Sequence, residues 1–345
     1  MITFEEETLD DLLITTYQHL LKYGEKNIAS RGETFEFTNV SLVLNNPRAR
    51  VSLSETRSTL ISAVGEFFWY LSGSNAIEFI EYYIKDYRKF IGISEGDSLL
   101  INGAYGPRLF GNEFSAVNQI INLLSDKPSS RQAVMPIYGI EDLKRTRTDS
   151  KDIPCTCLLQ FFIRKDKLSL TVYMRSNDAS KGLVHDIFSF TLLQEIILIR
   201  LRQRSNKFAD LRLGTYTHIV GSLHLYEDDT TDIKNYIERE GWHGHVSMYS
   251  INEKHLDSDL AQAKYIEEQL RLGNTVSVDE LFKLKDIFWF EIACILYIWN
   301  SIKYNKLDIN NDFELLKTYK DDSGKEISKV VLTFLLKRAE AYQSI

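Results

Sequence analysis

Side chains capable of chemistry crowd into the middle of this sequence. Cys155 stands in Pro154-Cys155-Thr156-Cys157, Arg175 and Asp178 bracket Arg175-Ser176-Asn177-Asp178, and His224 and Tyr226 close Gly221-Ser222-Leu223-His224-Leu225-Tyr226. An ionised thiol is a strong nucleophile, and a nearby arginine such as Arg175 favours the thiolate. A guanidinium is also a planar fork of donors suited to phosphate. Strand residues two apart face the same way, so His224 and Tyr226 can make a joint contact. Upstream, Glu66 lies inside Val64-Gly65-Glu66-Phe67-Phe68-Trp69-Tyr70-Leu71, a stretch too apolar to leave a carboxylate solvated. Its burial calls for partners or a function. Each residue also has a plainer reading. Cys155 and Cys157 can be small core residues sharing one strand face, the arginines solvated side chains, and Glu66 half of a salt bridge.

The elements that must position these groups follow from periodicity. Residues 9–23 and 59–71 read as helices, the second ended by Ser72-Gly73-Ser74. Residues 114–124 and 185–201 read likewise. Residues 34–44, 133–138, 155–163, 168–175 and 212–226 read as strands, with 155–163 and 168–175 as neighbours across Arg164-Lys165-Asp166-Lys167. A sheet with packed helices is an α+β fold. Beyond about Asp229 the pattern turns helical, over 256–272, 278–304 and 327–341, so a core over 1–228 and a helical region over 229–345 packed on it are expected.

Composition narrows the function further. The 345 residues are 44% hydrophobic, enough for a full core. Acidic residues outnumber basic ones 48 to 41, which gives no support for broad contact with a nucleic-acid backbone, whereas a mononucleotide needs only a few local arginines. Three cysteines are too few for a disulfide framework, so reduced thiols are expected. The opening Met1-Ile2-Thr3-Phe4-Glu5-Glu6-Glu7 lacks the basic and apolar parts of a secretory signal, which makes the cytoplasm the expected location. The apolar stretch from Ile287 to Trp299 is broken by Glu291 and too short to span a bilayer; a buried helix and no membrane partner are expected. His243-Gly244-His245 has no carboxylate or thiol cluster at metal-ligand spacing and reads as a turn, so no metal is expected.

Taken together, the three motif blocks resemble the thymidylate synthase superfamily. Cys155-Thr156, Met174-Arg175-Ser176-Asn177-Asp178 and Gly221-Ser222-Leu223-His224-Leu225-Tyr226 look more like its (deoxy)cytidylate hydroxymethylase branch than its methylating enzymes. The resemblance covers roughly residues 10–228 and implies a pyrimidine nucleoside monophosphate as substrate, with 5,10-methylenetetrahydrofolate as co-substrate. Cys155 is then the nucleophile that adds to carbon-6 and Cys157 a structural neighbour. Glu66 is the general acid/base, and Tyr105, in Asn102-Gly103-Ala104-Tyr105-Gly106, assists proton removal at carbon-5. By the same resemblance, Arg31, Arg131 and Arg175 hold the phosphate with Ser176, His224 and Tyr226 hold the sugar, and Asp178 contacts the pterin. The arginine at the Arg131 position reaches across a twofold interface, which implies a homodimer. Where the family has two consecutive arginines, this chain has Arg131-Gln132.

Base choice falls on Asp186, in Gly182-Leu183-Val184-His185-Asp186-Ile187, where uracil-specific members of the family carry asparagine within Gly-Leu-Pro-Phe-Asn-Ile. Asparagine can pair with both uracil N3–H and O4. A carboxylate instead accepts from the cytosine amino group while a proton sits at N3. Helix capping is the plain alternative for Asp186. Methylation needs water excluded from the site; the stretches here at Phe90-Ile91-Gly92-Ile93-Ser94, Met135-Pro136-Ile137-Tyr138-Gly139 and Gln343-Ser344-Ile345 lack the closing groups of the methylating enzymes and favour water entry. The expected reaction is hydroxymethylation of dCMP or CMP. Thymidylate synthesis from dUMP, and a non-catalytic nucleotide-binding or assembly role, are the alternatives.

Overall fold

Strand-forming stretches assemble into one seven-stranded sheet, and the way they pair decides which of these residues meet. The computed structural model describes residues 1–29, 31–52, 59–92, 99–111, 115–147, 151–240, 247–304 and 309–343. His243-Gly244-His245, Ile93-Ser94 and Ser344-Ile345 lie outside the described residues. The chain divides into two compact units, Met1–Ser247 and Met248–Ile345.

In the first unit the order is β1 (Ile2–Glu6), α1 (Leu9–Tyr23), β2 (Glu25–Ala29), β3 (Gly32–Leu44), α2 (Thr59–Leu71), α3 (Ile77–Tyr83) and α4 (Tyr87–Ile91). There follow α5 (Gly106–Phe110), α6 (Ala116–Asp126), β4 (Val134–Pro136), α7 (Ile140–Arg145), β5 (Thr156–Arg164), β6 (Lys167–Asp178), α8 (Gly182–Arg204), β7 (Arg212–Tyr226) and α9 (Thr230–Asn235). Across the sheet the strands run β1-β3-β7-β6-β5-β4, with β2 added to β3. The β1/β3 and β6/β7 pairs are parallel and the others antiparallel, an α+β fold.

Two local features set this topology. Lys165 and Asp166 both adopt left-handed backbone (φ 49° and 53°), the geometry of a two-residue hairpin turn, and this joins β5 to β6 as neighbours. A parallel β6/β7 pair, in contrast, needs a crossover, which α8 supplies. Buried residues run around α8 from Leu183 to Leu201 with little amphipathic relief. It is long and apolar enough to cross a membrane, but 89% of its most apolar window is buried in the structure, where it serves as a core helix. Each large apolar side chain buried there contributes about 1.5–3 kcal/mol. The helix starts three residues before the predicted His185, because Asp178 Oδ1 accepts the amides of Ser180 (2.9 Å) and Lys181 (3.1 Å) and turns the chain directly into it.

The second unit contains α10 (Leu256–Arg271), α11 (Val278–Leu281), α12 (Ile287–Tyr304), α13 (Ile309–Leu316) and α14 (Lys329–Gln343). The helical stretch expected over 278–304 is therefore broken. Asp286 accepts from Phe288 N (3.2 Å) and Asn252 N (2.8 Å), while Asp259 Oδ2 takes the amides of Lys285 (2.9 Å) and Asp286 (2.7 Å). The amides of Asp286 and Phe288 are among those that a starting helix leaves without intrahelical partners, and these carboxylates satisfy them. The apolar run after Asp286 is the expected buried helix, and Phe290 stacks on Tyr319 with centroids 3.6 Å apart. Glu291, on the same helix, is buried and accepts from Ser328 N at 2.7 Å.

Burial pushes the Glu291 carboxyl up to about 6, from an ordinary 4.5. The folded form then binds a proton more tightly than the unfolded one. This contribution to stability is present below about pH 4.5 and is lost as pH rises through about 6, a change of roughly 2 kcal/mol. Glu291→Gln keeps an acceptor for Ser328 N–H without the ionisation. Thermal unfolding of the full chain is expected to show the variant gaining on wild type between about pH 4.5 and pH 7; a gap that stays constant would contradict the assignment.

Candidate active site

The sheet register lines up one row of functional groups. Thr34 pairs with Tyr226 and Glu36 with His224 between β3 and β7, while Ser176 pairs with Ser222 and Asp178 with His224 between β6 and β7. On the other side of β6, Thr156 pairs with Met174, and Arg175 N donates to Cys155 O at 2.9 Å. Groups far apart in sequence thus meet at the ends of four neighbouring strands.

Cys155 immediately precedes β5. Between Thr156 and Leu158 the register slips, leaving Cys157 as an extra residue whose carbonyl accepts from Ile137 N (2.9 Å) and Tyr138 N (3.1 Å). The regular alternation that put both cysteines on one strand face does not hold across such a bulge. Arg175 braces the segment that carries the thiol. Its Nε donates to Pro154 O (3.0 Å), and its Nη2 donates to Ile153 O (3.1 Å) and lies 3.6 Å from Cys155 Sγ. Even so, burial pushes the Cys155 thiol up; Arg175 pulls against this without reversing it, so the expected thiolate is not the resting form.

Arg31, just ahead of β3, donates to Asp178 Oδ2 (3.1 Å) and to the Tyr226 hydroxyl (3.3 Å), and its guanidinium lies over the rings of Tyr226 (4.5 Å) and Phe90 (5.4 Å). The arginine expected on phosphate and the aspartate expected on the pterin therefore meet each other. His224 stands edge-on to Tyr226, with centroids 5.2 Å apart, and burial pulls its imidazole down toward the neutral form. Ser176 lies half-buried on the same strand as Arg175. Arg131 is exposed in the turn before β4; its carbonyl accepts from Gln160 Nε2 (2.9 Å), and its side chain bonds to none of these groups among the described residues.

Helices and one loop close the cluster. Glu66 is held on both oxygens: Tyr70 Oη donates to Oε1 (2.6 Å), and His185 Nδ1 lies 3.1 Å from Oε2. Ser62 Oγ meets the other ring nitrogen of His185 at 2.8 Å. Ser62, Tyr70 and His185 were not singled out from the sequence. For the first two a signal existed, because they lie four residues either side of Glu66 and so share its helix face. Nothing in the local pattern marks His185. The Tyr105 hydroxyl accepts from Thr156 N (3.1 Å), and its ring lies near Tyr70 and Phe190. Asp152 anchors the loop by accepting from Asn102 N and Gly103 N, both at 2.7 Å. Gly106 must be glycine-like there, since a Cβ would come 2.9 Å from Ser74 O.

Asp186 is the fifth residue of α8, with Lys181 at the N-cap position. It therefore does not cap the helix. Only 6% exposed, it accepts from Asn177 Nδ2 at 2.6 Å, and burial, reinforced by the Glu66 charge, pushes its carboxyl well above the usual carboxylate range. Among the described residues, no group of three or more histidine, cysteine or acidic side chains could hold a metal ion.

A sequence model described as Thymidylate synthase matches residues 13–272, about three-quarters of the chain. The chain belongs to the thymidylate synthase family. Among similar proteins, the deoxyuridylate hydroxymethyltransferase of Bacillus phage SP01 is 31% identical over 242 residues, covering 66% of this chain and 60% of that protein. The deoxyuridylate hydroxymethyltransferase of Delftia phage PhiW-14 is 29% identical over 222 residues, 60% of this chain and 58% of that protein. The bifunctional dihydrofolate reductase-thymidylate synthase of Paramecium tetraurelia is 32% identical over 123 residues, 36% of this chain and 24% of that protein. The chain thus spans about three-fifths of the length of the phage relatives. Thymidylate synthase family members are one-carbon transferases that act on pyrimidine nucleoside monophosphates with methylenetetrahydrofolate, and the match reaches past residue 228 into the second unit.

In this thymidylate synthase family member, Arg175 is the guanidinium that touches Cys155 Sγ. Arg175→Gln removes its pull and should move the thiol pKa further up, leaving less thiolate at any given pH. In a Cys157→Ser background, with Cys294 buried, the pH midpoint of iodoacetamide alkylation is expected to rise. An unchanged midpoint would mean that the guanidinium does not act on the sulfur.

Proposed function

We propose that this chain hydroxymethylates carbon-5 of a cytidine monophosphate, dCMP or CMP, through a covalent adduct of Cys155 at carbon-6. The carrying observation is Asp186: buried, bonded to Asn177, and with its carboxyl pushed well above the usual carboxylate range by burial and the Glu66 charge, which favours the protonated form. Carbon-5 of a pyrimidine attacks an electrophile only after a thiolate has added at carbon-6. As the S–C6 bond forms, the ring electrons shift toward N3. A protonated Asp186 can give its proton there and become a carboxylate that accepts from both N3–H and the 4-amino group. Uracil carries its own N3 proton and a 4-oxygen, so its adduct offers a carboxylate one acceptor too many. Discrimination therefore resides in the adduct, where it acts on rate.

Methylenetetrahydrofolate supplies the one-carbon unit. Asp178 fits a contact to it, because its side chain is partly exposed and Oδ2, though bonded to Arg31, can accept a second donor. Carbon-5 bonds to the one-carbon unit, the carbon-5 proton passes to a water held by the Tyr105 hydroxyl, and the methylene–nitrogen bond breaks to release tetrahydrofolate and leave an exocyclic methylene. Water then adds to the exocyclic methylene of the pyrimidine, Glu66 takes the proton that water gives up, and expulsion of Cys155 restores the ring. Arg31, Arg175 and Ser176 hold the phosphate, and His224 with Tyr226 reads the sugar. Arg131, exposed on its own chain, completes the phosphate site of a second copy in a homodimer. The similarity to two phage deoxyuridylate hydroxymethyltransferases favours a second reading in which deoxyuridylate is the substrate.

Incubation with methylenetetrahydrofolate and each of CMP, dCMP, UMP and dUMP, followed by mass analysis, tests the proposal. A cytidylate heavier by one CH2O is expected with wild type and none with Cys155→Ser. A methylated product, or no product from any nucleotide, would refute it. Asp186→Asn cannot deliver the proton to N3, and the cytidylate-to-uridylate ratio of kcat/KM should fall by up to about 10⁴-fold. A ratio that does not move would remove Asp186 from base selection.

A further inference from the structure

His185 sits between the two helices that carry the acid/base and base-reading carboxyls. It occupies the fourth position of α8, next to Asp186, and its ring spans successive turns of α2: one nitrogen meets Ser62 Oγ at 2.8 Å and the other Glu66 Oε2 at 3.1 Å. Both the imidazole and the Glu66 carboxylate are only 13% exposed. Tyr70 holds the second Glu66 oxygen at 2.6 Å. The carboxylate is thus gripped from two sides, by a phenol of its own helix and by an imidazole from another. Of these two grips, only the imidazole links Glu66 to the helix that carries Asp186.

We propose that His185 is a positioning residue: by donating to Oε2 it fixes the orientation in which Glu66 handles the protons of the reaction. The inference rests on the role given to Glu66 above and names the group that makes it effective. The Ser62 hydroxyl completes the device by donating to Nε2, which keeps the ring proton on Nδ1, facing the carboxylate. A carboxylate with one free torsion samples orientations in which its remaining lone pairs miss the water they must deprotonate, whereas one pinned at both oxygens does not. His185 takes no part in bond making and moves no net proton, so its loss should lower turnover and leave nucleotide binding intact.

The test compares His185→Phe, which keeps a ring of similar size without a donor, with His185→Gln, whose amide N–H can still donate to Glu66. Motifs of uracil-specific family members place phenylalanine at this position, so the fold accommodates that ring. With the preferred nucleotide, His185→Phe is expected to lower kcat roughly tenfold or more, the worth of one hydrogen bond to a charged group, with KM within about twofold. His185→Gln should recover most of the loss. In a Glu66→Gln background the Phe substitution should cost little further, because the two residues act through one interaction. An unchanged kcat in His185→Phe, a loss confined to KM, a Gln variant no better than Phe, or full additivity with Glu66→Gln would each overturn the proposal. Should the Phe variant prove unfolded, the Gln variant and its double with Glu66→Gln carry the same comparison. Absence of carbon-5 exchange in wild type would instead overturn the reading of the site itself.

Discussion

A helix buried along most of its length must find partners inside the protein for its charged and amide side chains, and α8 holds four of them in two adjacent pairs, residues 185–186 and 194–195. Gln194 donates to Leu168 O at 2.8 Å. Glu195, fully buried, is held by Arg48 at 2.7 Å and by the equally buried Arg50. Asp186 takes Asn177, and His185 takes Ser62 and Glu66. Leaving any of them unpaired would cost on the order of 1–3 kcal/mol, and more for a charge. Apolar packing alone would tolerate rotation of such a helix about its axis. These pairings do not, and they point Asp186 toward the sheet end and His185 toward α2.

Chemistry and folding therefore draw on the same interactions. Asp178 illustrates the overlap: one oxygen turns the chain into α8 and the other faces Arg31. Arg175 is similar, since two backbone carbonyls and the Cys155 sulfur share its donors. A guanidinium with fixed planar geometry can serve as brace and as charge at once, which a lysine could not.

Much of this was legible in the sequence, and for local reasons. The hairpin of β5 and β6, the apolar α2 with its carboxylate and the buried α12 all follow from periodicity and turn residues. The site residues on β6 and β7 follow from strand spacing once the motifs are seen. What was not legible depends on distance. Asp186 as a cap is a fair reading of its immediate neighbours, but Asp178 had already begun the helix. Arg175 as an activator of Cys155 is right in sign and outweighed by burial, which no local pattern reveals. His185 gains its partners only when α2 and α8 pack together, and the pairing of Arg31 with Asp178 depends on the register of three strands.

Asp152 ties the amides of Asn102 and Gly103 to a position three residues before Cys155. The segment between these points, α5 to α7 and β4, leaves and returns at a base held by this carboxylate, by Thr156 N–H on the Tyr105 hydroxyl, and by Ile137 and Tyr138 N–H on Cys157 O. The separation of the Tyr105 loop from the thiol is thus set by bonds gathered close to Cys155. Such a base lets a lineage resurface the exposed turns of the segment, Arg131 among them, while the reacting groups keep their spacing. Change in its outer turns can then proceed without being felt by the nucleophile.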